Sequence, residues 1–256
     1  MKKAITLGIF LILNLFVFAG CSNSKSAQMT NELRFSLKGI SSLTLSYDEE
    51  KITIFESDSD ALVIKEYMTE SKSSYYAKVT EGNESIYISE GGKPFFKDGF
   101  SRYIEVYLPE SYRENLTVTS TNGDIDFSGM NLDLSMLRVD NSSGNIRLDN
   151  AVASNIHLSS TSGTLYLGNI EANQISLETT SGSVICTKLN GNVIYTLTLP
   201  KNLEFEFQAT TKNGSVSTNF QQDVTVNGHT TSGSVGSNPT ITVKVETNNG
   251  DIEVTQ

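Results

Sequence analysis

Residues 160–165 read Ser-Thr-Ser-Gly-Thr-Leu, and this phrase decides the fold because close variants of it recur along the second half of the chain. Residues 141–146 read Asn-Ser-Ser-Gly-Asn-Ile, and residues 179–184 read Thr-Thr-Ser-Gly-Ser-Val. The phrase has seven copies, and all but one of the intervals between their glycines are nearly equal. A period of about 20 residues is typical of proteins built from stacked repeats. The seven repeat glycines are Gly123, Gly144, Gly163, Gly182, Gly214, Gly233 and Gly250, with the one long interval between Gly182 and Gly214.

Short alternating runs flank each repeat glycine. In one unit, Leu137 and Val139 precede Gly144, and Ile146 and Leu148 follow it. A period of two predicts strands that bury one face. We expect each glycine to adopt a positive φ in its turn, where a side chain would be strained. One unit has too little apolar surface to fold alone, so the units are expected to stack and share a core.

Two architectures fit a strand–turn–strand unit. One is a β-solenoid, in which each unit is a coil lying on the last, and the other is a sandwich or barrel of hairpins. The same turn at a nearly constant spacing favours the solenoid, because like residues then stack at about 4.8 Å. We therefore predict an all-β fold with an irregular N-terminal β region. It is a single elongated β-solenoid, β-helix-like, with about seven coils of roughly 19–21 residues each.

The chain begins with a leader of the lipoprotein type. Two lysines precede an apolar run at residues 7–18, and residues 18–21 read Phe-Ala-Gly-Cys. The run is too short, and too close to a small-residue cleavage site, to be a permanent membrane span. It resembles the bacterial lipoprotein signal, although Phe18 stands where that family usually has Leu. The resemblance implies cleavage before Cys21, lipidation of its thiol and attachment to a membrane through the lipid anchor.

Four segments follow from these features. The region 33–110 alternates without the repeat phrase, so it fits either irregular opening coils of the solenoid or a hairpin cap over its end. The predicted boundaries are a signal peptide at 1–20, the lipidated cysteine and a polar tether at 21–32, the N-terminal β region at 33–110 and the solenoid repeats at 111–256.

The composition disfavours several classes of function. The formal charge is −10, and removal of the leader with its two lysines lowers it to −12, which disfavours nucleic acid as a partner. After Cys21 the sequence has a single cysteine, Cys186, and its two histidines, His157 and His229, are far apart, so neither a disulfide within one chain nor a zinc site is predicted. The sequence contains no nucleophile elbow or phosphate-binding loop. We therefore predict a protein that is not an enzyme and that has no cofactor and no bound metal.

Paired acids are the one pattern that allows an enzyme as a minor alternative. Asp124 and Asp126 flank an aliphatic residue, as do Asp251 and Glu253, so each pair is expected on one solvent face. Repeat proteins can bind calcium or hydrolyse glycans with such acids. The repeats between them carry no acids at the equivalent positions, so the pairs do not form a column.

A loop rich in aromatic residues precedes the repeats. Residues 90–100 have two turn signals and three phenylalanines, Phe95, Phe96 and Phe100. Such a loop either presents its rings to a binding partner or folds back and covers the end of the core. Both interpretations stay open on the sequence.

The repeat phrase, the Leu-Pro strand that precedes it at residues 108–109 and the lipoprotein leader together resemble a bacterial family of unknown function. Its members are named putative adhesins and have β-solenoid folds on cell-surface or secreted chains. The resemblance covers residues 40–256. It implies a non-enzymatic lipoprotein outside the cytoplasm, anchored in the cell envelope, that binds a surface, a glycan or an envelope component. The alternative is an accessory or sensor subunit that acts through a membrane-protein partner.

Overall fold

A computed structural model describes residues 26–95, 99–179, 184–190, 194–198, 204–219, 224–227, 229–239, 241–249 and 251–255. Within these ranges twenty β-strands form one continuous sheet, and the one helical element is a 3-10 turn at Ser73–Tyr75. The all-β class is therefore confirmed. No helix in these ranges is long and apolar enough to cross a membrane. The strands are β1 Gln28–Ser36, β2 Ser42–Ser46, β3 Lys51–Ser57, β4 Ala61–Met68, β5 Lys78–Glu81, β6 Ser85–Ser89, β7 Arg102–Pro109, β8 Asn115–Ser120, β9 Ile125–Gly129, β10 Asn131–Asn141, β11 Ile146–Ser160, β12 Leu165–Thr179, β13 Val184–Asn190, β14 Ile194–Thr198, β15 Phe205–Asn213, β16 Val216–Thr218, β17 Val224–Asn227, β18 Thr230–Val235, β19 Ile241–Asn249 and β20 Asp251–Thr255.

The repeats pair as parallel strands, and the offset between partners equals the sequence period. Ile146 in β11 lies beside Leu165 in β12, its counterpart in the next repeat, and Leu165 lies beside Val184 in β13. Ile125 in β9, the counterpart in the preceding repeat, lies on the other side of Ile146. The repeat fold is therefore confirmed, since each unit takes its hydrogen-bonding register from the unit before it.

The long strands of the repeats bend twice. In β11 the in–out alternation slips at residues 149–150 and again at 154–155, where two consecutive side chains turn away from the core. The pairing with β12 skips one residue at each of these corners. Each such strand therefore consists of three short segments, and its first and last segments belong to two different columns of paired strands.

The two columns contain all twenty strands. The first column has the order β1-β4-β7-β3-β9-β11-β12-β13-β19-β15-β18-β17. The second column has the order β5-β6-β2-β8-β10-β11-β12-β14-β20-β16. Pairing is parallel throughout except where β1, β4, β5, β17 and β18 pair antiparallel at the column ends. Antiparallel strands thus cover ends that would otherwise present unpaired backbone groups.

The spatial order of the strands departs from the chain order at both ends. Val243 in β19 pairs with Val184 on one side and with Phe207 in β15 on the other. After β13 the chain first forms β15, which leaves a space one strand wide beside β13. It later returns, and β19 fills the space between β13 and β15. The long interval between Gly182 and Gly214 coincides with this passage. In the same way β3 lies between β7 and β9, although β7 follows it in the sequence.

Aliphatic side chains form ladders between the columns. Ile52, Ile125, Ile146, Leu165 and Val184 are successive neighbours in the first column, and each is 0% exposed. Burial of one such side chain contributes about 1.5–3 kcal/mol. The ladder as a whole therefore supplies the apolar stabilisation that no single unit could provide.

The N-terminal region contains two kinds of element. β2, β3, β6 and β7 continue the parallel columns, whereas β1, β4 and β5 pair antiparallel at their edge. β1 begins at Gln28, inside the segment 21–32 that the sequence assigned to a tether. β1 is an edge strand that is held by backbone hydrogen bonds to β4. Its first residues can therefore form a strand without an alternation of apolar and polar side chains.

Candidate functional site

The repeat glycines Gly123, Gly144 and Gly163 lie in successive turns that connect the second column to the first. A Cβ on Gly144 would lie 2.1 Å from the carbonyl oxygen of Gly123, and one on Gly163 would lie 1.9 Å from that of Gly144. None of the three adopts a positive φ, so the prediction of left-handed turns was wrong for them. Glycine is required because the backbones of neighbouring turns touch.

The other repeat glycines have different positions. Gly214 lies between β15 and β16, where the chain passes from the first column to the second. Gly233 lies inside β18, paired with Phe207 and Val224, so the prediction of a turn there was wrong. A Ser-Gly-Ser sequence is compatible with an extended strand wherever close neighbours supply the hydrogen bonds. Gly182 and Gly250 lie outside the described residues.

A ladder of buried polar side chains runs beside the glycine column. Ser120, Asn141, Ser160 and Thr179 are paired neighbours and are 2–7% exposed. The Ser120 Oγ accepts a hydrogen bond from the Gly123 amide at 3.0 Å, and the Ser160 Oγ accepts one from the Gly163 amide at 2.9 Å. These hydroxyls satisfy turn amides that water cannot reach.

The outer edge of the turns is also satisfied from within. The Asp124 carboxylate accepts a hydrogen bond from the Asn145 amide at 2.8 Å, and the Asn145 side-chain oxygen accepts one from the Thr164 amide at 3.0 Å. Each polar side chain therefore holds the backbone of the next turn. This edge works as a structural spine, and its polar groups are largely engaged before any ligand arrives.

The carboxylates of the acid pairs are held by hydrogen bonds or point outward into solvent. Burial opposes ionisation of Asp126, but hydrogen bonds from Ser128 lower its pKa, and bonds from the Ser215 amide and hydroxyl lower the pKa of Asp251. A lowered pKa does not suit a general acid. Glu253 points outward from β20, away from the buried Ile252 and Val254.

The two histidines lie apart. His157 in β11 has its Nε2 atom 3.5 Å from the Asp140 carboxylate, and His229 is exposed beside β18. Across the ranges that the structure describes, no group of three His, Cys, Asp or Glu side chains could hold a metal ion.

The aromatic loop folds back on the 3-10 turn and also projects one ring. The Gly92 amide donates to the Ser74 carbonyl at 2.7 Å, and Phe100 packs edge-on against Tyr75 with ring centroids 5.6 Å apart. Phe95 is 92% exposed. Phe96 lies outside the described residues. The packing of Phe100 fits a loop that folds back, whereas binding of a partner by Phe95 stays a prediction.

A buried ionic cluster anchors this loop. The Arg102 side chain is 0% exposed and donates to Glu50 Oε1 at 2.9 and 3.1 Å, to Glu90 Oε2 at 3.0 Å and to the Tyr75 carbonyl at 2.7 Å. The Lys93 Nζ lies 3.3 Å from both carboxylates. Three segments of chain therefore meet at one guanidinium, whose planar fork suits several acceptors.

The two carboxylates of the cluster titrate differently. Burial opposes ionisation of Glu50, but its hydrogen bond with Glu90 and the charge of Arg102 lower its pKa to about 2. Burial and the neighbouring Glu50 raise the pKa of Glu90 to about 7. The first proton to bind a close pair of carboxylates is held tightly because it relieves the repulsion between two adjacent negative charges.

The structure also reveals an outward-facing aromatic surface at the N-terminal end of the first column. Ile104, Val106 and Leu108 of β7 point inward, so Tyr103, Glu105 and Tyr107 point outward. Across the strands, Tyr103 pairs with Tyr67, Glu105 with Lys65, and Tyr107 with Phe55. We call this surface the aromatic shelf; it comprises Phe55, Lys65, Tyr67, Tyr103, Glu105 and Tyr107.

The shelf has two ring stacks around a charged centre. Tyr67 and Tyr103 stack with centroids 4.4 Å apart and planes at 7°, and Phe55 and Tyr107 stack at 5.3 Å and 28°. The hydroxyls of Tyr67 and Tyr107 both donate to Glu105 Oε2 at 2.9 Å. The Lys65 Nζ lies 4.4 Å from the centroid of the Tyr107 ring. The rings are therefore held in place before any ligand binds.

The shelf was not predicted from the sequence, although a signal for it was present. The inward alternation of β7 fixes residues 103, 105 and 107 on the opposite face. Their partners Lys65 and Tyr67 could not be found from the sequence, because β4 runs antiparallel to β7 and is separated from it by a long stretch of chain. Burial and the Glu105 carboxylate raise the pKa of Tyr67, Tyr103 and Tyr107, so all three phenols stay neutral at physiological pH.

The parallel units repeat at a nearly constant interval, and antiparallel strands cover both ends of the first column and one end of the second. This arrangement is accompanied by a match to a protein family. A model of the family described as Toastrack DUF4097 matches residues 40–255. The chain belongs to this family. The Toastrack domain therefore includes the glycine turns, the ionic cluster and the shelf. No curated protein matches the chain.

Three solved structures that match the chain over most of its length have adhesion or adhesin in their names. The chain is 17% identical to a putative cell adhesion protein from Clostridium sporogenes, covering 88% of this chain and 99% of that one with a TM-score of 0.38. It is 13% identical to a putative adhesin from Bacteroides fragilis, covering 88% and 96% with a TM-score of 0.41. A putative adhesin from Parabacteroides merdae is 12% identical, covering 91% and 98% with a TM-score of 0.41. These TM-scores are low, so family membership rests on the match to the family model.

Proposed function

We propose that this Toastrack protein is a non-enzymatic, lipid-anchored adhesin whose β-solenoid binds a component of its own cell envelope through the aromatic shelf. The observation that carries the proposal is the shelf itself, which places four aromatic rings around a Lys–Glu pair on an outward sheet face. Exposed aromatic residues held on a rigid scaffold are typical of binding surfaces.

The turn edge is the weaker candidate for binding. Its polar groups bond to the neighbouring turns, as the contacts of Asp124 and Asn145 show. A ligand there would compete with bonds that hold the repeats in register. A ligand at the shelf would not compete with these bonds, because the outward ring surfaces can be covered without breaking a backbone hydrogen bond.

The position of the shelf supports a ligand close to the anchoring membrane. Met29, near the start of β1, lies beside Tyr67 of the shelf. The chain from Cys21 to Gln28 reaches at most about 25 Å when fully extended. If Cys21 carries the lipid, the shelf lies near the membrane, which favours an envelope component over the surface of another cell. The expected location is therefore the extracytoplasmic side of the envelope.

Crosslinking in intact cells tests the proposal. Full-length protein should crosslink to envelope material, and Tyr103→Ala should reduce the yield. Tyr166→Ala is a matched control, because Tyr166 is also an outward tyrosine of the first column and is 36% exposed, against 37% for Tyr103. Cys21→Ser should release the protein from the membrane fraction. Equal crosslinking by the wild-type chain and Tyr103→Ala would contradict the proposal.

A further inference from the structure

We infer that the aromatic shelf binds an uncharged sugar ring of an envelope glycan. The inference rests on the proposed function, because it names the chemical class of the ligand at the same site. It follows from three properties of the shelf, which are its fixed aromatic rings, its balanced charge and its supply of hydrogen-bonding groups.

The aromatic rings give a sugar ring an apolar surface to pack against. Tyr67 and Tyr103 stack face to face across neighbouring strands, so their outward edges, which carry partial positive charge, meet a ligand first. Tyr67 and Tyr107 are tied to one oxygen of Glu105, and Tyr103 is stacked on Tyr67. A surface whose rings are already fixed loses little side-chain entropy when it binds.

The balance of charge at the centre selects a neutral ligand. Lys65 and Glu105 are direct cross-strand partners, and the exposed charged side chains that border the shelf are of both signs, since Lys51 pairs with Tyr103 and Glu32 pairs with Lys65. An anionic ligand would meet the Glu105 carboxylate, and the Lys65 ammonium already lies over the Tyr107 ring where a cationic ligand would bind. Desolvating either charge against a ligand of like sign is unfavourable. A polyhydroxylated neutral ligand avoids both costs.

Hydrogen-bonding groups of both kinds are available for sugar hydroxyls. A carboxylate has about four acceptor positions, and phenols use two of these on Glu105. The Lys65 ammonium is a donor, and each phenol oxygen can also accept. Sugar hydroxyls donate and accept, so they complement this set. A few polar groups amid aromatic surface is the usual composition of a small-ligand site.

An apolar partner fits the shelf less well. A lipid chain or an aliphatic helix would bury the Lys65–Glu105 pair without compensation. The shelf lies on the outward face of three adjacent strands, β4, β7 and β3. A planar ring can cover such a surface, whereas a helix requires a groove.

Binding can be followed by tyrosine fluorescence, because the chain has ten tyrosines and no tryptophan. The full chain carrying Cys21→Ser would be titrated with three neutral probes, cellohexaose, chitohexaose and maltohexaose. Polygalacturonate and choline serve as anionic and cationic probes. We expect saturable binding of at least one neutral probe, weakened about tenfold or more by Tyr103→Ala or Tyr67→Ala. Tyr166→Ala should bind as the parent chain does, and thermal melting should show that every variant is folded.

The outcomes separate this inference from the proposed function. If no neutral probe binds, or if binding survives both shelf variants, the inference is overturned. It is also overturned if only the anionic or only the cationic probe binds. If envelope crosslinking still depends on Tyr103 in those cases, the proposed function stands with a ligand of another class. If a neutral probe binds at the shelf but the yield of envelope crosslinking is the same with and without Tyr103→Ala, the inference stands and the proposed function fails.

Discussion

Gly144 packs on Gly123 so closely that a Cβ added to Gly144 would lie 2.1 Å from the Gly123 carbonyl oxygen and 2.7 Å from the Asn141 side-chain nitrogen. Parallel strands lie about 4.8 Å apart, and the turn cannot move away without breaking bonds in both neighbouring repeats. We therefore expect Gly144→Ala to lower the free energy of unfolding by about 3 kcal/mol or more. Urea denaturation followed by circular dichroism measures this change.

Gly129→Ala is the matched control for this prediction. A Cβ on Gly129 would meet its nearest atom, a Phe55 ring carbon, at 3.4 Å, which is ordinary contact. The urea midpoint of Gly129→Ala should stay close to that of the wild-type chain. Equal midpoints for both variants would show that the close stacking of turns is not what requires glycine.

The buried Ser160 hydroxyl gives a second prediction. Ser160 is 2% exposed, and its Oγ accepts a hydrogen bond from the Gly163 amide at 2.9 Å. Ser160→Ala leaves that amide without a partner in a dry position, which should cost about 1–3 kcal/mol. Ser160→Thr should cost less, because Thr179 occupies the next position of the same ladder. An alanine variant as stable as the threonine variant would argue against a role for the hydroxyl.

Part of this fold could be read directly from the sequence. The interval between repeats predicted the strand register, because Ile146 and Leu165 pair at the spacing of their glycines. The sequence also identified where glycine is required, but it attributed the requirement at Gly144 to φ. The actual cause is the backbone of the neighbouring turn, which a single repeat does not contain.

Two features depend on contacts that are remote in sequence. β19 lies between β13 and β15, and an alternating pattern specifies which face of a strand is buried but not which strand is its neighbour. The shelf needs Tyr67 beside Tyr103, an antiparallel pairing set by the order of strands at the column end. Sequence periodicity could therefore predict the repeats but not their ends, and the candidate site is at an end.

Arg102 provides a third prediction, because it connects three segments of chain. Its guanidinium bonds to Glu50, to Glu90 and to the Tyr75 carbonyl. Lysine keeps the charge, but its donors leave one point and cannot reproduce the spread of the planar guanidinium fork, so Arg102→Lys weakens contacts to buried acceptors. We expect a loss of about 2–4 kcal/mol in the free energy of unfolding.

Arg113→Lys is the control for the arginine prediction. Arg113 pairs with Asp133 at 3.0 Å, but its side chain is 45% exposed. Exposed ion pairs contribute about 0–1 kcal/mol, so this change should have little effect. If both lysine variants unfold at the same urea concentration, the buried cluster does not anchor the loop in the way proposed.

The carboxyl pair of the cluster predicts a pH dependence of stability. Burial and Glu50 raise the pKa of Glu90 to about 7, above its ordinary value of 4.5. The folded chain therefore binds this proton more tightly than the unfolded chain does. The resulting stabilisation is complete below pH 4.5 and is lost as the pH rises through about 7. Glu90→Gln carries a permanently neutral group that can still accept from Arg102, so it should escape this loss.

Melting temperatures measured between about pH 5 and pH 8 test the sign. The wild-type chain should lose stability relative to Glu90→Gln as the pH rises, so the difference between them should widen. Groups that both chains share cancel in this difference. Glu84→Gln, at an exposed carboxylate of the same region, should follow the wild-type curve. Parallel curves for the wild-type chain and Glu90→Gln would mean that Glu90 keeps its proton in neither state, and that Arg102 and Lys93 outweigh the repulsion from Glu50.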